Sequence, residues 1–367
     1  MKKLYMKVIS SFICLIIMIS PIITAKAQAE ELNINAMYAI ALDSKSKVVL
    51  YNKNAYMLVP MASTTKIMTA LVALKYGDLD KKIEISSKSA GIHGSTVGYK
   101  KNEQITLKEL IFGLMLRSGN DAAIAIAEGI GGDVEGFAKL MNEYSAQIGL
   151  CNTHFQSPHG LDSDEHYTSA YDLALVTAKA REIPLFNEIV QSKDVDKKTY
   201  GFTRDYHNIN KILWQLPNAS GVKTGFTGKA GKCLVTSVNI KGNDVIIVVL
   251  NSSDRWNVTK KINDYVQKKY EYKKLFSKGD IVSEITICDK SSEKVRLYTD
   301  EDIILPVRSD ASYHVQIVKP KSVIKGGIKK DDKLGSLCVL KDNEAIYTIS
   351  LKAKDSCKSH KFIKNIY

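Results

Sequence analysis

CLVTSVNI, KGN and VIIVVLN, at residues 233–240, 241–243 and 245–251, set the fold of this chain. Two strongly β-prone apolar runs flank a short turn with glycine at its centre, the signature of an antiparallel hairpin. Residues 256–272 then read as a helix. Toward the N-terminus, residues 36–51 read as two short strands joined at Asp43-Ser44-Lys45. Between these strand regions the pattern is helical. Ile67, Leu71 and Leu74 recur at i, i+4 and i+7 after Ser63, and Gly77 follows as a stop. Residues 107–116, 121–130, 134–148 and 169–180 also read as helices. The order predicts an α/β (α+β) domain: an antiparallel sheet, flanking helices and an inserted helical lobe.

From about residue 277 the composition shifts to short β-rich runs at 281–287, 294–298, 303–307, 314–318, 336–340 and 345–351. These predict a small all-β domain. A length of 367 residues, with 45% hydrophobic and 25% charged, also suits two domains. The expected division is a leader at 1–27, a main domain at 28–275 and a β-rich domain at 276–367.

The leader is expected from Lys2, Lys3 and Lys7, the apolar stretch 8–23, and the small-x-small sites Ala25-Lys26-Ala27 and Ala27-Gln28-Ala29. Pro21 and the short apolar run argue against a full membrane span. Loss of four leader lysines takes the net charge from +13 to about +9, so the exported protein is drawn to anionic envelope polymers or lipid head groups. Export removes the opportunity for nucleic-acid binding, and no basic run interleaves with aromatics. Beyond Cys14 in the leader, Cys151, Cys233, Cys288, Cys338 and Cys357 are scattered with no CxxC pair, which argues against a zinc knuckle. They read as mostly buried small apolar residues, with a disulfide between two of them left open. The tail 358–367 is basic and about three helical turns long, and peripheral membrane contact through it is left open.

Ser63-Thr64-Thr65-Lys66 puts a hydroxyl and an amine one turn apart at a helix start. Acyl transfer needs a nucleophile, an adjacent base and an N–H donor for the oxyanion. The same spacing recurs at Ser44/Lys47, Ser220/Lys223, Ser291/Lys294 and Ser322/Lys325, so the motif alone discriminates nothing. Context does. Ser118-Gly119-Asn120 falls between two helices, where it places a hydroxyl and an amide on a loop. Lys223-Thr224-Gly225 precedes the residue-233 strand, suited to a carboxylate and to close approach of an extended peptide.

These three motifs in this order are the set found in penicillin-binding proteins and class A β-lactamases. The SGN form of the middle motif, Leu116 to Ala122, and Gly221-Val222-Lys223-Thr224-Gly225-Phe226-Thr227 resemble the D-alanyl-D-alanine carboxypeptidase family. Pro158-His159-Gly160-Leu161, His166-Tyr167-Thr168-Ser169-Ala170-Tyr171-Asp172 and Asn208-Ile209-Asn210 extend the resemblance, as does the β-rich C-terminal region. It implies a penicillin-binding, β-lactamase-like transpeptidase fold, a peptidoglycan pentapeptide substrate, β-lactams as covalent inhibitors and no cofactor. It further implies that Ser63 attacks the carbonyl between two D-alanines and that Lys66 takes its proton. Ser118 and Asn120 complete the proton network and hold the substrate amide. Lys223 and Thr224 meet the terminal carboxylate or sustain the site potential. The N–H groups of Ser63 and Phe226, beside Gly225, form the oxyanion hole. Arg255 reads either as an additional carboxylate contact or as a solvated surface arginine.

For Lys66 to be a base at neutral pH its pKa must fall from roughly 10.4 to near 7, at a cost of about 4 kcal/mol. Burial and the charge of Lys223 are the expected causes. His154, His159 and His166 raise the question of zinc, but no HExxH is present, and Asp172 reads as a loop-fixing acceptor. Three rivals remain: a β-lactamase, which needs a deacylating glutamate, although Glu165, in the right broad region, stands in an Asp-Glu-His setting that belongs to the carboxypeptidase pattern; a D,D-endopeptidase, although such relatives usually lack the β domain; and a non-catalytic wall-binding protein.

Overall fold

The computed structural model describes residues 32–286, 294–320 and 327–357. The leader, Cys14, Cys288 and the tail 358–367 lie outside them.

Strands β1 (Tyr38–Asp43) and β2 (Val49–Lys53) form an antiparallel pair, and β3 (Ala219–Thr227), β4 (Gly231–Ile240) and β5 (Asn243–Leu250) follow much later in the chain. They make one sheet in the order β2-β1-β5-β4-β3, every neighbour antiparallel. The β4–β5 turn is tighter than expected. Ile240 pairs with Asn243, and Lys241 and Gly242 both take positive φ, 52° and 85°. That is the backbone twist a two-residue hairpin requires. Residues 245–250 are all at most 1% exposed, so both faces of β5 are covered, which explains its unbroken apolar run.

Helix α1 (Lys66–Tyr76) is the centre of the lobe. It packs against α2 (Leu107–Leu116), α3 (Asn120–Gly131), α4 (Val134–Gln147) and α5 (Ala170–Ala180), and residues 66–73 are all buried. A helix apolar all round belongs in a core. Helix α6 (Arg255–Lys269) lies on β4 and β5, while α5 lies on β1 and β5.

Two boundaries differ from the sequence reading. The α-helix starts at Lys66, because residues 62–65 form a 3-10 turn. The helix expected to reach residue 272 stops at Lys269, and β6 (Glu271–Phe276) follows. Its sequence, EYKKLF, has no clean alternation, and its burial shows no alternating buried face. Strand β6 pairs with β9 (Ile303–Val307). The remaining β7 (Ile281–Thr286), β8 (Lys294–Tyr298), β10 (Tyr313–Val318), β11 (Lys333–Lys341) and β12 (Glu344–Ala353) form a second five-stranded sheet, ordered β7-β8-β12-β11-β10. Tyr270 and Tyr272 donate to Leu50 O and Asp43 Oδ2, both at 2.7 Å, tying this region to the first strands.

The cysteines are less uniform than expected. Cys233 and Cys357 are buried, but Cys151 is exposed in a bend and Cys338 is half-buried; Cys151, Cys233 and Cys338 are free thiols. Among the described residues, no helix is long and apolar enough to cross a membrane.

Candidate active site

Ser63 stands on a strained turn. Ala62, just before it, has φ +50°, a left-handed conformation that non-glycine residues adopt only when the surroundings impose it. The surroundings are visible. Thr64 and Thr65 hydroxyls donate to Met61 O and Ala62 O at 2.5 and 2.8 Å. Gly160 presses on the same carbonyl: a Cβ there would stand 2.0 Å from Ala62 O. Gly225 does the same from the sheet side, with a Cβ 3.1 Å from Ser63 N. Glycine at 225 is what lets β3 lie alongside the nucleophile turn.

Lys66 is fully buried. Its Nζ is 3.0 Å from Ser63 Oγ, 2.8 Å from Asn120 Oδ1 and 2.8 Å from His159 O. Asn120 Nδ2 donates to His93 O at 2.8 Å, which fixes the amide with Oδ1 toward the lysine. Burial and then the charge of Lys223 push the Lys66 amine well below its ordinary range, against the pull of Asp121. A neutral amine has two N–H donors and one lone pair. The two carbonyl oxygens can only accept, so they take the two N–H groups. The lone pair is left for the Ser63 hydroxyl.

Ser118 and Asn120 sit where α2 ends and α3 begins, both 3% exposed, with Ser118 at φ +60°. Asp121, beside them, accepts from the N–H groups of Val97, Gly98 and Tyr99 at 2.8–3.1 Å and pins the facing loop. On β3, Lys223 is 1% exposed and donates to Thr224 O at 2.9 Å. Burial, with the Arg255 charge second, pushes its amine down to about 7. Thr224 is buried beside it and Phe226 is 65% exposed. Arg255 is not a solvated surface residue. Its Nη1 donates to Gly225 O at 2.7 Å and Cys233 O at 3.0 Å, and the guanidinium stacks on Trp256.

The 158–161 and 166–172 stretches, to which the sequence assigned no part in the reaction, support the Ser63–Lys66 pair from behind. Pro158 O accepts from Thr69 Oγ1 at 2.7 Å, and His159 acts through its backbone carbonyl. Gln156 N–H donates to His166 Nδ1 at 3.0 Å, so His166 Nε2 carries the hydrogen and donates to Thr65 Oγ1 at 2.8 Å. Burial lowers the His166 pKa to about 4 and that of His159 to about 3, so both are neutral supports. Asp172 accepts from Asn152 N and Thr153 Oγ1, the loop-fixing role expected of it. Glu165 is exposed on the surface.

Residues 24–254 match the D-alanyl-D-alanine carboxypeptidase family, and residues 270–359 match the penicillin-binding protein 5 C-terminal domain. The D-alanyl-D-alanine carboxypeptidase DacF of Bacillus subtilis is 32% identical, over 92% of this chain and 89% of its own. DacA of Escherichia coli is also 32% identical, over 77% of this chain and 75% of its own. Among solved structures, penicillin binding protein 5 from Haemophilus influenzae superposes with a TM-score of 0.77 at 29% identity, covering 89% of this chain and 98% of that one. With Asn120 and Ser63 both bonded to Lys66, Gly225 against the Ser63 backbone, and both of its regions matched, the chain belongs to the D-alanyl-D-alanine carboxypeptidase family.

Proposed function

We propose that this protein removes the terminal D-alanine from peptidoglycan stem peptides through an acyl-enzyme on Ser63, and that penicillins acylate the same oxygen. The observation that carries this is the Lys66 amine, sealed from water and held by two carbonyls with its third position on Ser63 Oγ. In acylation Ser63 Oγ bonds to the carbonyl carbon and its proton passes to Lys66. The C–N bond breaks, and the departing amine takes a proton through Lys66 and Ser118. Water then cleaves the ester by the reverse relay. The Ser63 and Phe226 N–H groups receive the oxyanion. Lys223 and Thr224 take the substrate carboxylate, with Arg255 behind them reinforcing the positive field. Asn120 holds the substrate amide.

The proposed site of action is outside the cytoplasm, reached by way of the leader at 1–27. We assign the catalytic domain to 28–275 and the β-rich domain to 276–367. Exposed Glu165 favours slow deacylation over β-lactamase turnover. Mass spectrometry after penicillin treatment is expected to find one adduct per chain, on the peptide holding Ser63. An adduct elsewhere would overturn the assignment.

The paired lysines also predict a pH profile. Lys66 works neutral, so acylation rises as pH climbs through its depressed pKa. Lys223 works charged, so carboxylate binding fades as pH passes about 7. The kcat/KM for D-alanine release should therefore be bell-shaped, its basic limb reporting Lys223 in the free enzyme. In kcat that limb should move upward, because a bound carboxylate favours the ammonium. A flat profile between pH 6 and 9, on the order of the range these groups span, would refute the pairing.

A further inference from the structure

Lys66 and Lys223 are both buried, and Arg255 lies against β3 beside them. Lys223 disfavours charge on Lys66, and Arg255 disfavours it on Lys223. Among the described residues, no carboxylate forms an ion pair with any of the three. The groups that face Lys66 come from several elements. Lys223 stands on β3, and His159 and His166 are the neutral supports already described. Glu109 on α2 is turned to Thr203 and Tyr206, and Asp172 on α5 to Asn152 and Thr153. Asp121 on α3 is 1% exposed, and its charge attracts that of Lys66.

Asp121 is held firmly in place. Its Oδ1 accepts from the N–H groups of Val97 and Ala122, both at 2.9 Å. Its Oδ2 accepts from those of Gly98 and Tyr99 at 2.8 and 3.1 Å. The loop gripped in this way is the one that fixes Asn120. Asn120 N–H donates to Ser95 O at 2.7 Å, and Nδ2 donates to His93 O at 2.8 Å. One carboxylate therefore braces the loop whose carbonyls aim Asn120 Oδ1 at Lys66.

The bare Gly119 belongs to the same arrangement. A Cβ there would stand 2.7 Å from Asp121 Oδ1 and 2.7 Å from Val97 Cγ2. In the SDN form of this motif the second residue carries a carboxylate. Here that residue has no side chain, and the Asp121 carboxylate occupies the space beside it. Gly119 has φ −62° and ψ 118° at the N-cap of α3, a position and backbone that aspartate favours.

We propose that Asp121 is a positioning residue of the acylation step: its carboxylate, standing in for that of the SDN form, aims Asn120 through the 93–99 loop and balances the charge that Lys66 acquires from Ser63. This rests on the acyl-enzyme reading given above. The benefit falls where the proton moves. Lys66 becomes an ammonium as Ser63 Oγ attacks, and a fixed negative charge nearby favours that form.

The test follows acylation by a chromogenic β-lactam against pH. It compares the wild-type chain, Asp121→Asn, Asp121→Ala and the exchange variant Gly119→Asp/Asp121→Ala. Loss of the negative charge makes the Lys66 ammonium easier to deprotonate and the amine a weaker base. The acidic limb of Asp121→Asn should therefore move to lower pH by about one unit, with the plateau rate down about tenfold. Asp121→Ala should show the same displacement. The exchange variant returns a carboxylate to the same space, so its limb should return to the wild-type position and most of the rate with it. It also decides the matter where a single variant fails to fold. A plateau that falls while the limb stays put makes Asp121 a structural brace alone and overturns the inference. So does an exchange variant no better than Asp121→Ala, or an Asp121→Asn indistinguishable from wild type. In each of these cases a wild type acylated on Ser63 spares the underlying reading. A wild type that is never acylated sinks both.

Discussion

Replacing Ser63 by alanine is expected to abolish D-alanine release and the covalent penicillin adduct together, while leaving the fold in place. The size of the loss follows from the arrangement. Lys66 has no other acidic proton to take, and Ser118 belongs to the relay on the leaving-group side. Removing the nucleophile of a serine acyl-transfer unit costs on the order of 10⁶ in kcat. The structural cost is small by comparison. Ser63 contributes one hydrogen bond, at 3.0 Å to Lys66, worth about 1 kcal/mol. The strained turn is held by Thr64, Thr65, Gly160 and Gly225 rather than by the Ser63 side chain. Thermal unfolding of Ser63→Ala should therefore shift by only a few degrees, roughly as 1 kcal/mol dictates. Reversible penicillin binding should persist through Lys223 and Thr224. Residual D-alanine release above about one part in 10⁴ of wild type would mean that another group is the nucleophile.

The sequence spoke clearly wherever side-chain identity does the chemistry and fell silent where backbone does. Ser63, Lys66, Asn120 and Lys223 were legible because a hydroxyl, an amine and an amide at fixed order have few other reasons to coexist. The hairpin at 233–251 was legible because β5 is buried on both faces and leaves an unbroken apolar run. His159 was not legible as a functional residue, since its contribution is a carbonyl oxygen that any residue would supply. What the sequence could have shown instead is Gly160 after it, a glycine forced by the 2.0 Å approach to Ala62 O. The late start of α1 was hidden because a 3-10 turn and an α-helix share the same i, i+3 apolar spacing. Strand β6 was hidden because EYKKLF carries two adjacent lysines where alternation would mark a strand. Arg255 illustrates the opposite case. Its ambiguity between surface and site was real in sequence, and only its bonds to Gly225 O and Cys233 O decide that it belongs against β3.

Lys66→Arg is the substitution that separates proton transfer from mere support. A guanidinium keeps its positive charge at any working pH, so it can still donate to Asn120 Oδ1 and His159 O, while adding beside Lys223 a buried charge that the neutral amine does not carry. What it cannot do is present a lone pair to Ser63. General-base catalysis is worth roughly 10²–10⁴, and the acylation rate by a chromogenic β-lactam should fall by about that factor. The acidic limb of the pH profile should vanish with it, because the group that titrates there is gone. Lys66→Met provides the contrast. It removes the base and the donors together, leaving Asn120 Oδ1 and His159 O buried without partners at about 1–3 kcal/mol each. Its acylation rate should match that of Lys66→Arg or fall below it. The arginine variant fixes the interpretation: were it to acylate within about tenfold of wild type, the lone pair on Lys66 would not be what activates Ser63, and the two carbonyls that aim it would be serving the fold alone.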